Sequence, residues 1–228
     1  MIVADQKPLN AIKDMLQGRQ KVLAVGCGTC VAVCFAGGKK EVGVLSSALR
    51  MATGLDGEPL QVDETTVQRQ CDQEYIDPLA DRIGHYDVVL SLGCGVGVQS
   101  LAERFPDKRI LPALDTQFMG EPTEQGVWEE RCQGCGNCIL DRTAGLCPIS
   151  RCAKQLMNGP CGGTQDGRCE VDPGIPCVWY QIWDRMAKQG QMDEIMKFEP
   201  PKDWSTSRDG GQRRIVREDL RMPKADAS

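Results

Sequence analysis

Histidine is almost absent from this chain of 228 residues, which has His85 and no other. A single histidine excludes a Ser-His-Asp triad and a histidine-rich metal site. No uninterrupted apolar run is long enough to span a membrane. The opening MIVADQKPLNAIKDML lacks the basic region and apolar stretch of a signal peptide. We therefore expect a soluble, cytoplasmic protein without a membrane span.

Basic residues are fewer than acidic ones. Lysine and arginine number 27 against 32 aspartates and glutamates, so the formal net charge is −5. This balance argues against nucleic acid as the main partner. The chain also offers no visible catalytic acid, base or nucleophile of a recognisable type.

Cysteine, by contrast, is abundant. The chain has 13 cysteines, an odd number that is several times ordinary usage. A disulfide framework needs an oxidising compartment and is typical of small secreted chains. In a cytoplasmic protein, clustered thiols are better explained as metal ligands.

The first half alternates short apolar runs with amphipathic segments. This alternation predicts an α/β domain over residues 1–120, built on a small doubly wound parallel sheet of about four strands. The predicted strands are 21–26, 59–64, 87–93 and 109–115, and the predicted helices are 8–17, 29–38, 41–54, 71–84 and 96–105.

The second half changes in composition. Residues 121–190 form an irregular cysteine-rich module, because Gly, Pro and Cys dominate up to Cys177 and apolar periodicity is weak. Such a segment buries little apolar surface, so metal is expected to supply its folding energy. A helix over 178–190 places aromatic side chains on one face, and 191–228 reads as an extended polar tail.

Five cysteines lie in the first domain. Cys27 and Cys30 follow the first predicted strand, Cys71 follows the second, and Cys94 follows the third. Ligands of doubly wound sheets bind beyond the carboxyl ends of the strands. We therefore predict one [4Fe–4S] cluster held by Cys27, Cys30, Cys71 and Cys94, with Cys34 as the surplus thiol and first substitute. A nucleotide-phosphate loop at GCGVG is the weaker alternative, because it lacks the full glycine fingerprint.

CQGCGNC, residues 132–138, is the most specific motif and is called the trio loop below. Its C-x-x-C-x-x-C spacing, Cys132, Cys135 and Cys138, is typical of three ligands of a [4Fe–4S] cluster. A zinc site is the alternative, although zinc ribbons take their ligands as separated pairs. Five later cysteines supply a fourth ligand and a second site that could hold zinc: Cys147, Cys152, Cys161, Cys169 and Cys177.

Several stretches resemble a known family. CQGCGNC, LCPISRCAKQLMNGPCGG and DGRCEVDPGIPCVWYQIW resemble the cysteine-rich methylenetetrahydrofolate reductase C-terminal domain. GCGTCVAVCFAGGKKEV and GCGVG, with the opening MIVADQKPL, resemble the front half of the small metal-binding subunit of bacterial two-subunit methylenetetrahydrofolate reductases, found notably in acetogens.

The resemblance implies an electron-transfer subunit. It would carry at least two and up to three [4Fe–4S] clusters, with one Zn²⁺ attributed to the cysteine-rich module. Electrons would pass to the flavin of a separate barrel subunit that reduces methylene- to methyl-tetrahydrofolate in the reductive acetyl-CoA pathway, and further electron-donating subunits could join. The other hypothesis is a non-redox, zinc-stapled scaffold that docks on and stabilises that enzyme. Two segments are candidate docking elements. The first is the aromatic helix at 179–186, whose alternative role is internal packing. The second is the basic stretch at 213–217, which could instead be a solvated tail.

Overall fold

Two compact units divide the chain. The structure is a computed structural model that describes residues 1–221. The first unit is Met1–Arg131 and the second is Cys132–Ser228. In the described part, no helix is both long enough and apolar enough to cross a lipid bilayer.

A parallel four-stranded sheet forms the centre of the first unit, as the sequence predicts. Its strand order is β3-β2-β4-β5, and every neighbouring pair is parallel. The strands of the chain are β1 (Ile2–Gln6), β2 (Lys21–Cys27), β3 (Gln61–Val67), β4 (Val88–Leu92), β5 (Arg109–Pro112), β6 (Leu114–Glu124) and β7 (Val127–Cys132). β3 lies on one side of β2 and β4 lies on the other side, so the direction of the strand order reverses at β2.

Helices cover both faces of this sheet. Those of the first unit are α1 (Leu9–Leu16), α2 (Cys30–Val33), α3 (Lys39–Leu55), α4 (Gln73–Ile76), α5 (Ala80–Ile83) and α6 (Gly95–Arg104), with a 3₁₀ turn over Asp77–Leu79. Val22 and Ala24 of β2 pack on the side of α1 and α3, while Leu23 and Val25 pack on the side of α4 to α6. Each fully buried aliphatic side chain of this kind contributes about 1.5–3 kcal/mol. The two cores confirm the doubly wound arrangement.

A second, antiparallel sheet was not predicted. Its order is β1-β6-β7, and β1 pairs antiparallel with β6. β6 and β7 are joined through Gln125 and Gly126, and Gly126 has a φ of 85° that favours glycine. The sequence predicts a single strand over 109–115. In the structure β5 ends at Pro112, and β6 begins at Leu114 in the other sheet.

The predicted helix over 29–38 is much shorter in the structure. α2 ends at Val33, and the backbone N–H groups of Ala36 and Gly37 both bond to the Val31 carbonyl, at 2.9 and 3.0 Å. Phe35 takes a positive φ of 55° within this closing turn. A Cβ at Gly37 would overlap the carbonyl of Leu92, so the return of the chain past the end of β4 requires glycine there.

The second unit contains little regular structure. Its helices are α7 (Pro148–Arg151), α8 (Val178–Gln189) and α9 (Met192–Ile195), and 3₁₀ turns cover Leu140–Arg142, Trp204–Thr206, Arg208–Gly210 and Glu218–Leu220. α8 matches the helix predicted at 178–190, and Gly190 ends it with a φ of 68°. Trp179, Ile182 and Met186 form the centre of its small core with Leu146. These three residues are packed internally, whereas Tyr180 and Trp183 of the same helix are about half exposed, so the docking candidate over 179–186 stays a prediction.

Candidate metal centres

Three cysteines of the first unit lie at the carboxyl edge of the parallel sheet. Cys27 is the last residue of β2, Cys71 lies in the loop after β3, and Cys94 directly precedes α6 after β4. β3, β2 and β4 are neighbours in the sheet, so their loops leave from adjacent positions. Cys94 directly precedes α6, whose first backbone N–H groups carry a partial positive charge.

The charges of Cys27 and Cys94 affect the pKa of Cys71. Partial burial raises the pKa of the Cys71 thiol, and the neighbouring charges of Cys94 and Cys27 raise it further. Like charges raise a pKa in this way when they lie close together. A positive metal group would reverse that effect, because it attracts the thiolates that otherwise repel one another.

A buried polar network holds the loop that carries Cys71, and sequence reasoning missed it. Gln70 has no exposed surface; its side-chain amide donates to the Val25 carbonyl at 2.8 Å and accepts from the Ser91 hydroxyl at 2.6 Å. The Ser91 oxygen in turn accepts from the Gly93 N–H at 3.1 Å. The network ties the loops after β3 and β4 to the end of β2. The one signal in the sequence was a polar residue directly before a candidate ligand.

The other two cysteines of this unit have different surroundings. Cys30 is half-buried and begins α2. Cys34 is buried in the core, where its thiol lies 3.6 Å from the carbonyls of both Ala4 and Val31, and burial raises its pKa. Carbonyl contacts suit a protonated thiol, and this environment fits the surplus role predicted for Cys34. The ligand set of the first unit stays a prediction.

The trio loop opens the second unit. Gly134 and Gly136 take positive φ values of 63° and 81°, which let the loop turn between successive cysteines. The N–H of Gly134 points at the Cys132 sulfur, 3.3 Å away. Cys132 and Cys138 are exposed and Cys135 is half-buried, so the loop presents its sulfurs toward the surface.

Residues 199–213, called the covering segment below, lie against the trio loop. The Thr206 hydroxyl donates to the Cys135 carbonyl at 2.9 Å, and the Arg213 guanidinium donates to the Gly134 carbonyl at 2.7 Å. A Cβ at Gly136 would collide with the Thr206 carbonyl. This stretch is thus hydrogen-bonded to the rest of its unit. Of the basic docking candidate 213–217, Arg213 is engaged here.

Four of the later cysteines share one small cavity. Cys152, Cys161, Cys169 and Cys177 line a space of about 20 Å³. The Cys169 N–H bonds to the Ile175 carbonyl at 2.9 Å and the Cys177 N–H bonds to the Gly167 carbonyl at 2.8 Å, which pairs the two segments. A cavity of this volume accommodates about one water-sized particle. Cys147 lies at the opposite end of α7 from Cys152.

Charged and aromatic groups border this cavity. Lys154 and Glu170 form an ion pair, and the Cys161 sulfur lies 3.4 Å from the same Glu170 carboxylate. The hydrogen bond from Lys154 is the main cause of the lowered pKa of Glu170. Trp179 is buried beside the cavity, and its indole N–H donates to the Leu156 carbonyl at 3.0 Å.

The donor chemistry of these sites fits sulfur-ligated metals. All 13 cysteines are free. Over residues 1–221, no three Cys, His, Asp or Glu side chains are gathered closely enough to hold a single ion. The thiols around the small cavity would have to turn inward to bind one. In a cubane each thiolate binds a different iron atom, so its ligands stand farther apart than those of one ion.

Comparison with known proteins places the second unit in a family context. Residues 111–205 match a family model described as methylene-tetrahydrofolate reductase C terminal. This part of the chain is similar to the C-terminal region that the family model describes. The match includes the β6–β7 hairpin and all eight cysteines from Cys132 to Cys177, and it ends next to Trp204 in the covering segment. No curated protein and no solved structure gives a significant match.

Proposed function

We propose that this chain is the electron-transfer subunit of a methylenetetrahydrofolate reductase complex. The observation that carries the proposal is the match of the cysteine-rich unit to the methylenetetrahydrofolate reductase C-terminal model. The partner is a flavin-containing barrel subunit that reduces methylene- to methyl-tetrahydrofolate. The chain would relay electrons to that flavin, and the reaction on folate would take place on the partner.

The metal groups of this proposal are [4Fe–4S] clusters, which supply one-electron transfer when bound. In the first unit, Cys27, Cys71 and Cys94 would hold one cluster together with Cys30. The support is the convergence of three strand-end thiols and their mutual effect on the pKa of Cys71. The hydrogen bonds of Gln70 to Val25 and Ser91 hold the loop that carries Cys71.

In the second unit, the trio loop would hold another cluster, with Cys147 as fourth ligand. The C-x-x-C-x-x-C spacing and the two glycines at positive φ support this set. The remaining four thiols, around the small cavity, would hold Zn²⁺. A space of about 20 Å³ favours one ion over a cubane.

A scaffold role is the second candidate function, and the small cavity is the observation that favours it. Four thiolates around a redox-inert ion staple loops without carrying electrons. In that case the chain would dock on the reductase and stabilise it. Anaerobic analysis of iron, zinc and sulfide per chain separates the two functions, because the scaffold needs no iron or sulfide.

The test of the relay is reconstitution. Flavin reduction in the barrel subunit by a low-potential donor is followed with and without this chain under anaerobic conditions. We expect reduction to be much faster when the chain is present. Equal rates in the two samples would show that electrons do not pass through it.

A further inference from the structure

Lys202 is an unusual lysine because it is buried beside the trio loop. Only 9% of its surface is exposed. Its ammonium donates to the Asn137 carbonyl at 3.1 Å and lies 5.5 Å from the centre of the Trp204 ring. Lysine is almost never this buried unless its charge is paired. The ring face and the carbonyl offer partial negative charge but no full counter-charge.

The sulfur of Cys135 is the nearest candidate for that counter-charge. Cys135 and Lys202 share the Asn137 carbonyl, which also lies 3.6 Å from the Cys135 sulfur. The ammonium thus stands within interaction distance of the central cysteine of the trio loop.

Carboxylates do not neutralise this charge at close range. Within residues 1–221, no aspartate or glutamate forms an ion pair with Lys202 at 4 Å or less. Asp203 is the nearest in sequence and its pKa is lowered, mainly by hydrogen bonding to Ser205 and to a smaller degree by Lys202. The Asp203 side chain accepts from the Ser205 N–H at 2.9 Å. The positive charge is left facing the loop.

The rest of the covering segment holds Lys202 in place. Thr206 and Arg213 bond to the backbone of the trio loop on the far side of Trp204. The Glu199 N–H and carbonyl both bond to the side chain of Asn158, at 2.8 and 2.7 Å. Lys202 therefore lies between two anchored points, which reduces the freedom of its side chain to move into solvent.

We propose that Lys202 is the fixed counter-charge of the metal group at the trio loop and raises its reduction potential. The inference rests on the proposed function, since it requires an electron-carrying cluster at Cys132, Cys135 and Cys138. A thiolate-ligated cluster is negatively charged and gains a further negative charge on reduction. A nearby cation therefore stabilises the reduced form more than the oxidised form, and the effect is stronger where water is partly excluded. Lys202 is a positioning residue and does not itself carry electrons.

The test is a redox titration of the full chain, purified anaerobically with its metals and followed by electron paramagnetic resonance. In Lys202→Met, we expect the trio-loop cluster to be at least about tenfold harder to reduce, which is about 59 mV for a one-electron couple. Lys202→Arg should stay close to the wild type because it keeps the charge. Lys188→Met is the matched control, since Lys188 is exposed on α8 of the same unit. Equal potentials in Lys202→Met and Lys188→Met would overturn the proposal.

A second variant decides the matter if Lys202→Met does not retain its iron. Asp203→Asn removes a negative charge next to Lys202 while keeping an oxygen that can accept from Ser205. It should make the cluster easier to reduce, and an unchanged potential would count against the proposal.

Failure of the proposed function has a different signature. If the trio loop holds no cluster, Cys135→Ser leaves the iron content of the chain unchanged. If the cluster is present but Lys202 does not affect it, Cys135→Ser lowers the iron content and Lys202→Met leaves the reduction potential unchanged. The first result overturns both proposals and the second overturns only the role of Lys202.

Discussion

Replacing Gln70 by leucine should loosen the carboxyl edge of the parallel sheet. The substitution keeps a side chain of similar length but removes two fully buried hydrogen bonds, to the Val25 carbonyl and from the Ser91 hydroxyl. Each such bond contributes about 1 kcal/mol net, and a buried polar group left without a partner costs about 1–3 kcal/mol. After allowing for the apolar gain of leucine, we expect a loss of about 3 kcal/mol in the free energy of unfolding.

The assay is urea unfolding of the anaerobically purified chain, followed by circular dichroism. The midpoint should fall with little change in slope, because the surface exposed on unfolding stays similar. For a protein of this size the loss corresponds to about 6–12 °C in Tm. Because Gln70 precedes Cys71, the variant should also release iron from the first unit faster when a chelator is added.

Gln99→Leu is the matched control for this experiment. Gln99 is exposed on α6, and its amide bonds only to the Gly95 carbonyl of the same helix, at 2.9 Å. A surface change of this kind stays within about 0.5 kcal/mol. The reasoning is refuted if Gln70→Leu and Gln99→Leu unfold at the same urea concentration. A double-mutant cycle with Ser91→Ala should further show coupling of about 1 kcal/mol between the two polar side chains.

The remaining predictions concern the metal ligands, the covering segment and pH. Cys94→Ala should lose about one cluster's iron while Cys34→Ala keeps it, and iron analysis that finds both unchanged would contradict the first-unit site. Gly136→Ala should lower the free energy of unfolding of the second unit by about 3 kcal/mol, measured in urea. Gly57 has the same φ of 81° but open space around it, so Gly57→Ala should cost only the backbone strain of about 1–2 kcal/mol. Equal losses of stability in the two variants would show that contact with the covering segment is unimportant. The Asp87 carboxylate accepts two backbone N–H bonds that lower its pKa, so its contribution is present above about pH 4 and is lost as pH falls through the folded pKa. The gap in urea midpoint between wild type and Asp87→Asn should therefore be constant between pH 7 and pH 5 and shrink as the pH falls below about 4. A gap that does not shrink on acidification would argue against this assignment.

Metal removal gives a further check on the second unit. Its apolar core is small, with α8 packed on a few side chains. Chelation should unfold this unit and expose it to protease, since metal binding supplies folding energy in such modules. Unchanged circular dichroism and protease resistance after chelation would contradict this expectation.

Local pattern was sufficient to predict the parallel sheet and the positions of most of its helices, although not the lengths of those predicted over 29–38 and 71–84. The runs at 21–26 and 87–93 became β2 and β4, because a continuous apolar run between turn residues is stable only when buried on both faces. The place of Cys27, Cys71 and Cys94 followed from topology, since the loops after parallel strands leave from one edge. The C-x-x-C-x-x-C spacing identified the trio loop before any contact was known.

Only the tertiary structure decided features that depend on contacts between distant residues. The sequence around 114–132 lacks a strong alternating pattern. β6 forms there because β1, more than 100 residues away, supplies its backbone partners, and β7 in turn pairs with β6. α2 stops early because Gly37 must pass the end of β4. Gln70 and Lys202 are polar residues whose burial no local periodicity indicates. Gln70 is buried against Val25 and Ser91, and Lys202 against Asn137 and Trp204. Periodicity reports which face of an element is buried, whereas a buried polar side chain is explained only by the partner that the fold brings to it.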